Sequence, residues 1–359
     1  MAGLVAAARL RQLGRPARLL EKGDRPGGSM LLSSGVVWRH RSPEAFREEC
    51  PGGDPALQRL IVERLDDGLD WLERTAVPAV ERDTRNPRTI GRRFEPRPLT
   101  EALVRATGGV ALSEPLSDLP DEPVVLATGG FAAGLARECG LALRAAPWSE
   151  GDGIRLARER GAAFAGDPEE FYGRAMPAPP AKLDGVFVRA AQVYGRYAHV
   201  VDDAGRAVFE GEPSWSETDL AQAIARQPGG TAWYVVDSTA IPERVGGRYT
   251  VGEMISHAVG CGGEVRLRAP TLDALRLGAL ESPKLARAPF FAVKVIAAVT
   301  HTLGGLRVDE QARVLRPDGS AIDGLYAAGV DAGGVATGGY ASGLAAALVL
   351  GLAAAEAIA

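Results

Sequence analysis

The sequence predicts an α/β chain of two domains, the first discontinuous and the second, of α+β character, inserted into it. Three observations carry this. A helix-favouring run from Ala2 to Leu13 leads into Ala17 to Leu20, which reads as a short buried strand closing on an acid, Glu21. Two further buried-strand runs, Pro123 to Thr128 and Gly324 to Ala328, each close on glycines, and the second leads through a glycine-rich turn into an apolar terminal helix. Between these blocks, from about residue 155 to residue 288, aromatic, proline and β-branched residues become more frequent. A strand–helix texture that stops and later resumes is better explained by an insertion than by two consecutive domains. The expected division is therefore 1–154 with 289–359 for the outer domain, and 155–288 for the insert.

Taken in order, the first helix is ended by Gly14, a common C-terminal stop, and Arg15–Pro16 turn the chain. A turn-rich loop runs from Gly23 to Gly35. Helical patterns follow over Ser42 to Cys50 and Asp54 to Thr75. Glu81 to Arg97 reads as a polar stretch rich in Arg and Pro, and Leu99 to Ala106 as a helix. In the insert, Val200 to Phe209 and Thr231 to Val236 read as strands of a separate sheet. Leu306 to Leu315 reads as a strand of the outer domain, and a helix begins at Gly343.

Composition bounds the partners. Hydrophobic residues make up 46% and charged residues 24%, the balance of an ordinary globular protein. A net charge of −4 provides no general attraction for nucleic acid or an anionic membrane. Cys50, Cys139 and Cys261 are far apart and odd in number, so neither a disulfide framework nor a zinc site is expected, and buried free thiols, suited to a reducing cytoplasm, are the expectation. Arg9 and Arg11 interrupt the apolar start where a signal peptide needs an unbroken centre. The Gly- and Ala-rich stretch from Gly343 to Ala359 carries Glu356 and reads as a helix packed on a sheet.

The helix, strand and acid at the start have a chemical reading. In a Rossmann βαβ unit, glycines let the backbone approach a pyrophosphate whose charge rests on the helix N-terminus. The acid at the end of the second strand accepts hydrogen bonds from a ribose, roughly twenty residues after the motif. Glu21 meets that spacing if Gly3 is the last glycine of the motif. The loop Glu21-Lys22-Gly23-Asp24-Arg25-Pro26-Gly27-Gly28-Ser29, with Ser33-Ser34-Gly35 after it, resembles the second FAD-contacting loop of the fumarate-reductase/succinate-dehydrogenase flavoproteins. Backbone N–H groups and hydroxyls on such a turn suit a pyrophosphate.

Two more blocks are similar to the same family. Val124 to Phe131 contains the strand followed by Ala127-Thr128-Gly129-Gly130, and Gly324-Leu325-Tyr326-Ala327-Ala328-Gly329 resembles the strand preceding the flavin. A glycine-rich turn from Asp331 to Tyr340 leads into the helix opened by Gly343 and Leu344, whose N-terminus would favour the negative charge of a reduced flavin. His301-Thr302-Leu303-Gly304-Gly305 resembles the segment in which a histidine bonds a substrate carboxylate or carbonyl. The resemblance implies a Rossmann-like FAD-binding domain with a capping domain, FAD held non-covalently, and an oxidoreductase acting on a small organic substrate with a separate electron donor or acceptor. It assigns cofactor contacts to Gly3, Glu21, Lys22, Gly28, Ser29, Ser34, Gly35, Thr128, Gly129, Gly329, Asp331, Gly343 and Leu344.

The pattern departs from the family in three places. The first strand and opening glycines of the motif are absent, so FAD bound weakly or not at all by the chain as it stands, and a start of translation lying further upstream, are the expectations. Where fumarate reductases clamp a dicarboxylate with an arginine in the final turn, Tyr340 stands here. Their proton-donating arginine has no clear counterpart, the nearest position being Trp215. A dicarboxylate is thereby disfavoured, and Tyr340 is similar to the tyrosines of the tricarballylate-dehydrogenase and ketosteroid-dehydrogenase branches. His301 and Tyr340 are the catalytic candidates, with Tyr172, Tyr194 and Arg196 behind them. The implied reaction makes or removes a C–C double bond next to a carbonyl or carboxylate. A flavoprotein remnant unable to hold FAD and a nicotinamide-dependent dehydrogenase remain as alternatives.

Overall fold

Ala2–Gln12 forms a helix, and Gly14, at φ 78°, turns the chain out of it. The structure is a computed structural model describing residues 1–183, 185–246 and 249–359. It divides into two compact units: Met1–Gly134, Ala145–Tyr172 and His301–Ala359 form one, and Leu135–Arg144 with Gly173–Thr300 form the other.

In the first unit the opening helix packs on the terminal helix Gly343–Ile358, burying Val5, Ala8, Leu348 and Leu350. A Cβ on Gly351 would lie 3.0 Å from the Ala2 carbonyl oxygen, so the two backbones cross almost in contact. The terminal helix is apolar nearly all round because it lies inside this core. Glu356 at its far end pairs with Arg9 and Arg64. Among the described residues, no helix is long and apolar enough to cross a membrane.

A three-stranded sheet supports the helices, in the order Arg313–Leu315, Ala321–Ala327, Val124–Leu126, with the last two parallel. Helix Pro43–Glu49 is capped by the Ser42 side chain and helix Pro55–Thr75 by Asp54, each with proline in its first turn. Two expectations fail here. Of the run Ala17–Leu20, only Leu20 joins a ladder, pairing with Glu21 against Ala111–Leu112. Within the polar stretch 81–97 lies a strand, Thr89–Arg93, antiparallel to Val36–His40. Its two arginines are held by carboxylates rather than by apolar packing: Arg92 pairs with Asp70 and Glu73, and Arg93 with Glu81 and Glu95.

The second unit is built on residues 290–300 of the long strand Phe290–Thr302, flanked by Val265–Ala269 and Thr231–Val236, with His199–Val201 beyond the latter. Thr231–Val236 is buried on both faces. Tyr234 and Val236 join one apolar cluster, under helices Thr218–Ala225 and Val251–Gly260, while Trp233 and Val235 join another. That explains a near-continuous apolar run in place of alternation. The single strands expected over Val200–Phe209 and Leu306–Leu315 are each broken by a turn. The Asp202 carboxylate accepts from the Ala204 and Arg206 amides, and the Asp309 carboxylate from the Gln311 and Arg313 amides. An aspartate folding its own backbone in this way overrides a weak strand preference.

Candidate active site

The first unit gathers the sequence-predicted residues in three groups. In the first, strand Leu20–Glu21 ends beside the start of the opening helix. Glu21 uses one carboxylate oxygen to accept from the Gly23 amide at 2.8 Å. Its other oxygen makes no hydrogen bond among the described residues. Close by, burial lowers the pKa of the Met1 amine to about 6, with Glu21 acting in the opposite direction. The first turn of this helix carries no side-chain cap, which leaves its N–H groups directed outward. Gly3 lies in that turn, where a Cβ would meet Ala127 at 3.3 Å, and Gly329 packs against it, where a Cβ would meet Ala2 at 3.1 Å.

The loop after Glu21 is fastened at several points. Lys22 is committed to Glu150 at 2.6 Å and Asp152 at 2.8 Å, and those two hydrogen-bonded carboxylates raise its pKa. The Ser29 hydroxyl accepts from the Ala146 amide at 2.9 Å. The Gly35 amide bonds the Ser33 hydroxyl, and Ser34 is half-buried between them. Gly28, with φ 52°, faces open space.

The second group lies at the end of strand Val124–Leu126. Asp331 is fully buried and its carboxylate is consumed by the chain itself. It accepts from the Thr128 hydroxyl at 2.9 Å, the Gly130 amide at 3.0 Å and the Thr128 amide. Burial pushes this carboxyl up, and those donors oppose the shift. Thr128, Gly129 and Asp331 thus form a staple between two strand ends. Thr302, adjacent in sequence to His301, has a buried hydroxyl with no partner among the described residues.

The third group is a column of aromatic rings. His301 lies 5.1 Å from Tyr172, and Tyr172 stacks on Tyr340 at 4.2 Å and 18°. Tyr340 continues to Trp38 at 5.2 Å, Trp38 to His40 at 5.3 Å and His40 to Phe46 at 4.7 Å. The start of the terminal helix closes one end, where a Cβ on Gly343 would touch the His301 ring at 3.2 Å. Leu344, next along, turns its side chain to the core. His301 and Tyr340, 39 positions apart in the chain, are therefore brought into one cluster through Tyr172.

Sequence reasoning missed the residues that hold Tyr340. The His40 ring, 3% exposed, lies with Nε2 3.2 Å from the Tyr340 carbonyl oxygen. Burial lowers its pKa, which favours a neutral ring donating that hydrogen bond. The buried Cys50 thiol has its pKa pushed up by burial, and a backbone hydrogen bond from Tyr340 opposes this. The Glu170 carboxylate accepts from the Gly338 amide at 2.6 Å. Gly339 leaves no room for a side chain, since its Cβ would sit 1.9 Å from the Glu49 carbonyl oxygen. The turn that presents Tyr340 is thus fixed from several sides. A signal existed in Val36-Val37-Trp38-Arg39-His40, where Trp38 and His40 alternate on one face of a strand.

The remaining candidates lie in the second unit. Tyr194 is fully buried, edge-on to Tyr234 at 5.3 Å, and Arg196 is exposed. Among the described residues no group of three or more His, Cys, Asp or Glu is arranged to hold a metal ion.

The chain is similar to known proteins of one fold. A family described as "FAD binding domain" matches residues 105–344, and one described as "NAD(P)-binding Rossmann-like domain" matches residues 1–38. A fumarate reductase (cytochrome) from Shewanella frigidimarina is 25% identical over 417 residues, covering 91% of this chain and 70% of that protein. A 3-oxosteroid 1-dehydrogenase from Rhodococcus opacus is 58% identical over 41 residues, 11% of this chain and 8% of that protein. Among solved structures, the 3-ketosteroid-Δ4-(5α)-dehydrogenase from Rhodococcus jostii RHA1 superposes with a TM-score of 0.73 at 20% identity, over 99% of this chain and 94% of that one. The open conformation of a flavocytochrome c3 fumarate reductase superposes with a TM-score of 0.72 at 20% identity, over 99% and 76%. At those identities the superpositions establish the fold.

Proposed function

The chain belongs to the fumarate reductase/succinate dehydrogenase flavoprotein family through its FAD binding domain, and from that premise we propose a reaction in which a C–C bond next to a carbonyl or carboxylate is desaturated or saturated. It is an FAD-dependent oxidoreductase. The residues present fit the cofactor. Among the described residues, Glu21 has a carboxylate oxygen to spare beside an uncapped helix start, Gly28 leaves its side open, and the Thr302 hydroxyl is buried without a partner. Glu21, Gly28 and the first turn of the opening helix would hold the nucleotide end. Gly329, Thr302 and the start of the terminal helix would hold the flavin end, without a covalent link. Bound FAD supplies hydride acceptance and donation at its N5.

The chain's own part is orientation and proton movement. The observation that carries this is the His301–Tyr172–Tyr340 stack. The His301 ring donates a hydrogen bond to a substrate carbonyl oxygen, which makes the neighbouring C–H bond more acidic. In the saturating direction the Tyr340 hydroxyl gives its proton to the substrate carbon and becomes phenolate, in the desaturating direction the phenolate takes that proton up, and Tyr172 holds both rings in place. Tyrosine in the turn where a dicarboxylate-binding arginine would stand favours a carbonyl compound over a dicarboxylate. The three cysteines are free, with Cys139 exposed, which fits a reducing compartment such as the cytoplasm. A separate electron donor or acceptor completes the cycle.

The direct test is titration of the purified chain with FAD, followed by quenching of flavin fluorescence. Weak, saturable binding is expected, and a complete absence of binding would favour the flavoprotein remnant unable to hold FAD. Glu21→Ala is expected to weaken that binding roughly 10- to 100-fold, the equivalent of about 1.5–3 kcal/mol for a hydrogen bond to a charged group. An unchanged affinity would make Glu21 a brace for its own loop, acting through Gly23 alone.

A further inference from the structure

The second unit contains a cavity of about 260 Å³ that the flavin chemistry leaves unexplained. Its wall is apolar where Ala198, Val200, Phe209 and Leu220 line it, and polar where His199, Ser282 and Lys284 do. We propose that this cavity binds a small organic monocarboxylate with an apolar body. Polar groups converging on an apolar patch at the floor of a concavity are the general means by which a small-molecule site fixes its ligand. At about 30 Å³ per water-sized group, the cavity holds on the order of nine non-hydrogen atoms, the size of benzoate.

The walls are fixed in advance. The buried Glu217 carboxylate accepts from the Gly195 amide at 2.8 Å and so pins the turn Gly195–Tyr197. Asp237 accepts from the Ala286 and Arg287 amides, which fastens the segment carrying Ser282 and Lys284. The Val208 amide bonds the Val200 carbonyl and brings Phe209 to the cavity.

The charge pattern selects the ligand. The Lys284 ammonium is paired with Glu212 at 3.2 Å, and the Glu212 side chain is 66% exposed. A pair so open to water is worth little, so a ligand carboxylate replaces Glu212 at small cost. Burial and the neighbouring Lys284 lower the His199 pKa, which leaves its ring a neutral donor. One cation and one neutral donor match one negative charge, and the apolar wall matches the rest of the ligand.

The test is calorimetric titration of the full, FAD-saturated chain with benzoate, and with benzyl alcohol as a neutral probe of equal shape. Benzoate is expected to bind and benzyl alcohol to bind at least about tenfold more weakly, since only the anion makes a charge-assisted hydrogen bond. Lys284→Met keeps the apolar stem and is expected to lower benzoate affinity by a similar factor, while Ser282→Trp fills the mouth and abolishes binding. No binding by the wild type overturns the proposal. So does binding that both variants leave intact, or equal binding of the two probes. Flavin absorbance is read in the same samples, so the loss of this site is distinguishable from loss of the cofactor.

Discussion

Replacing Tyr340 by phenylalanine, or His301 by alanine, is expected to slow substrate-driven flavin reduction roughly 10²-fold or more while FAD stays bound, the usual scale for a positioned acid or base. The geometry separates the two effects. Phenylalanine preserves the stacking with Tyr172 and Trp38 and removes only the hydroxyl. The turn around position 340 is held through its backbone, by His40 on the Tyr340 carbonyl and Glu170 on the Gly338 amide, so its path survives the substitution. His301→Ala opens space beside Gly343 and leaves the strand register unchanged. Stopped-flow absorbance with the reactive substrate gives the rate, and the spectrum of each variant gives cofactor occupancy. Wild-type rates in both variants would remove these residues from the mechanism. Loss of the flavin itself would make them supports of the cofactor pocket.

Stability is expected to fall as pH rises from about 4.5 to 7, by up to about 3 kcal/mol from Glu217 alone. Glu217 is 8% exposed, sits in a left-handed conformation at φ 53°, and bonds the Gly195 amide. Burial raises its pKa from 4.5 to about 7, with Arg174 and the amides of Gly195 and Arg196 acting in the opposite direction and Asp219 adding to the rise. The folded chain therefore holds this proton more tightly than the unfolded chain does. Its stabilising contribution is complete below the unfolded pKa of 4.5 and is lost as pH climbs through about 7. Glu217→Gln keeps an oxygen for the Gly195 amide and cannot ionise. Urea unfolding should find the two proteins similar near pH 4.5 and the glutamine variant the more stable at pH 8. An identical pH profile in both would show that Glu217 is not the group responsible.

What was legible in the sequence were the parts whose signal is local. Ser42 and Asp54 announce the helices they cap, and the glycines of residues 333–343 announce a turn before a helix. The strand Val36–His40 left only the alternation of Trp38 and His40 as a signal, and its partner Thr89–Arg93 was not legible, because Arg92 in it is held by the carboxylates of Asp70 and Glu73 on a separate helix. The same pairing places Trp38 and His40 against Tyr340, so the missed strands and the missed site residues are one omission. Asp331 carries the opposite lesson. Its place in a glycine-rich turn reads as a cofactor contact, yet its oxygens are filled by Thr128 and Gly130, a partnership some 200 positions apart that no local pattern reports.

The central claim is that this chain carries redox chemistry beside a carbonyl or carboxylate, and anaerobic titration of the FAD-loaded protein tests it most directly. A panel of saturated and unsaturated ketones and carboxylates is added, and the flavin band near about 450 nm is followed. The account predicts that at least one saturated ketone or acid bleaches the band, that its unsaturated counterpart restores it, and that ketones outperform dicarboxylates. A bound flavin that no member of the panel reduces or reoxidises, although dithionite bleaches it, would contradict the account.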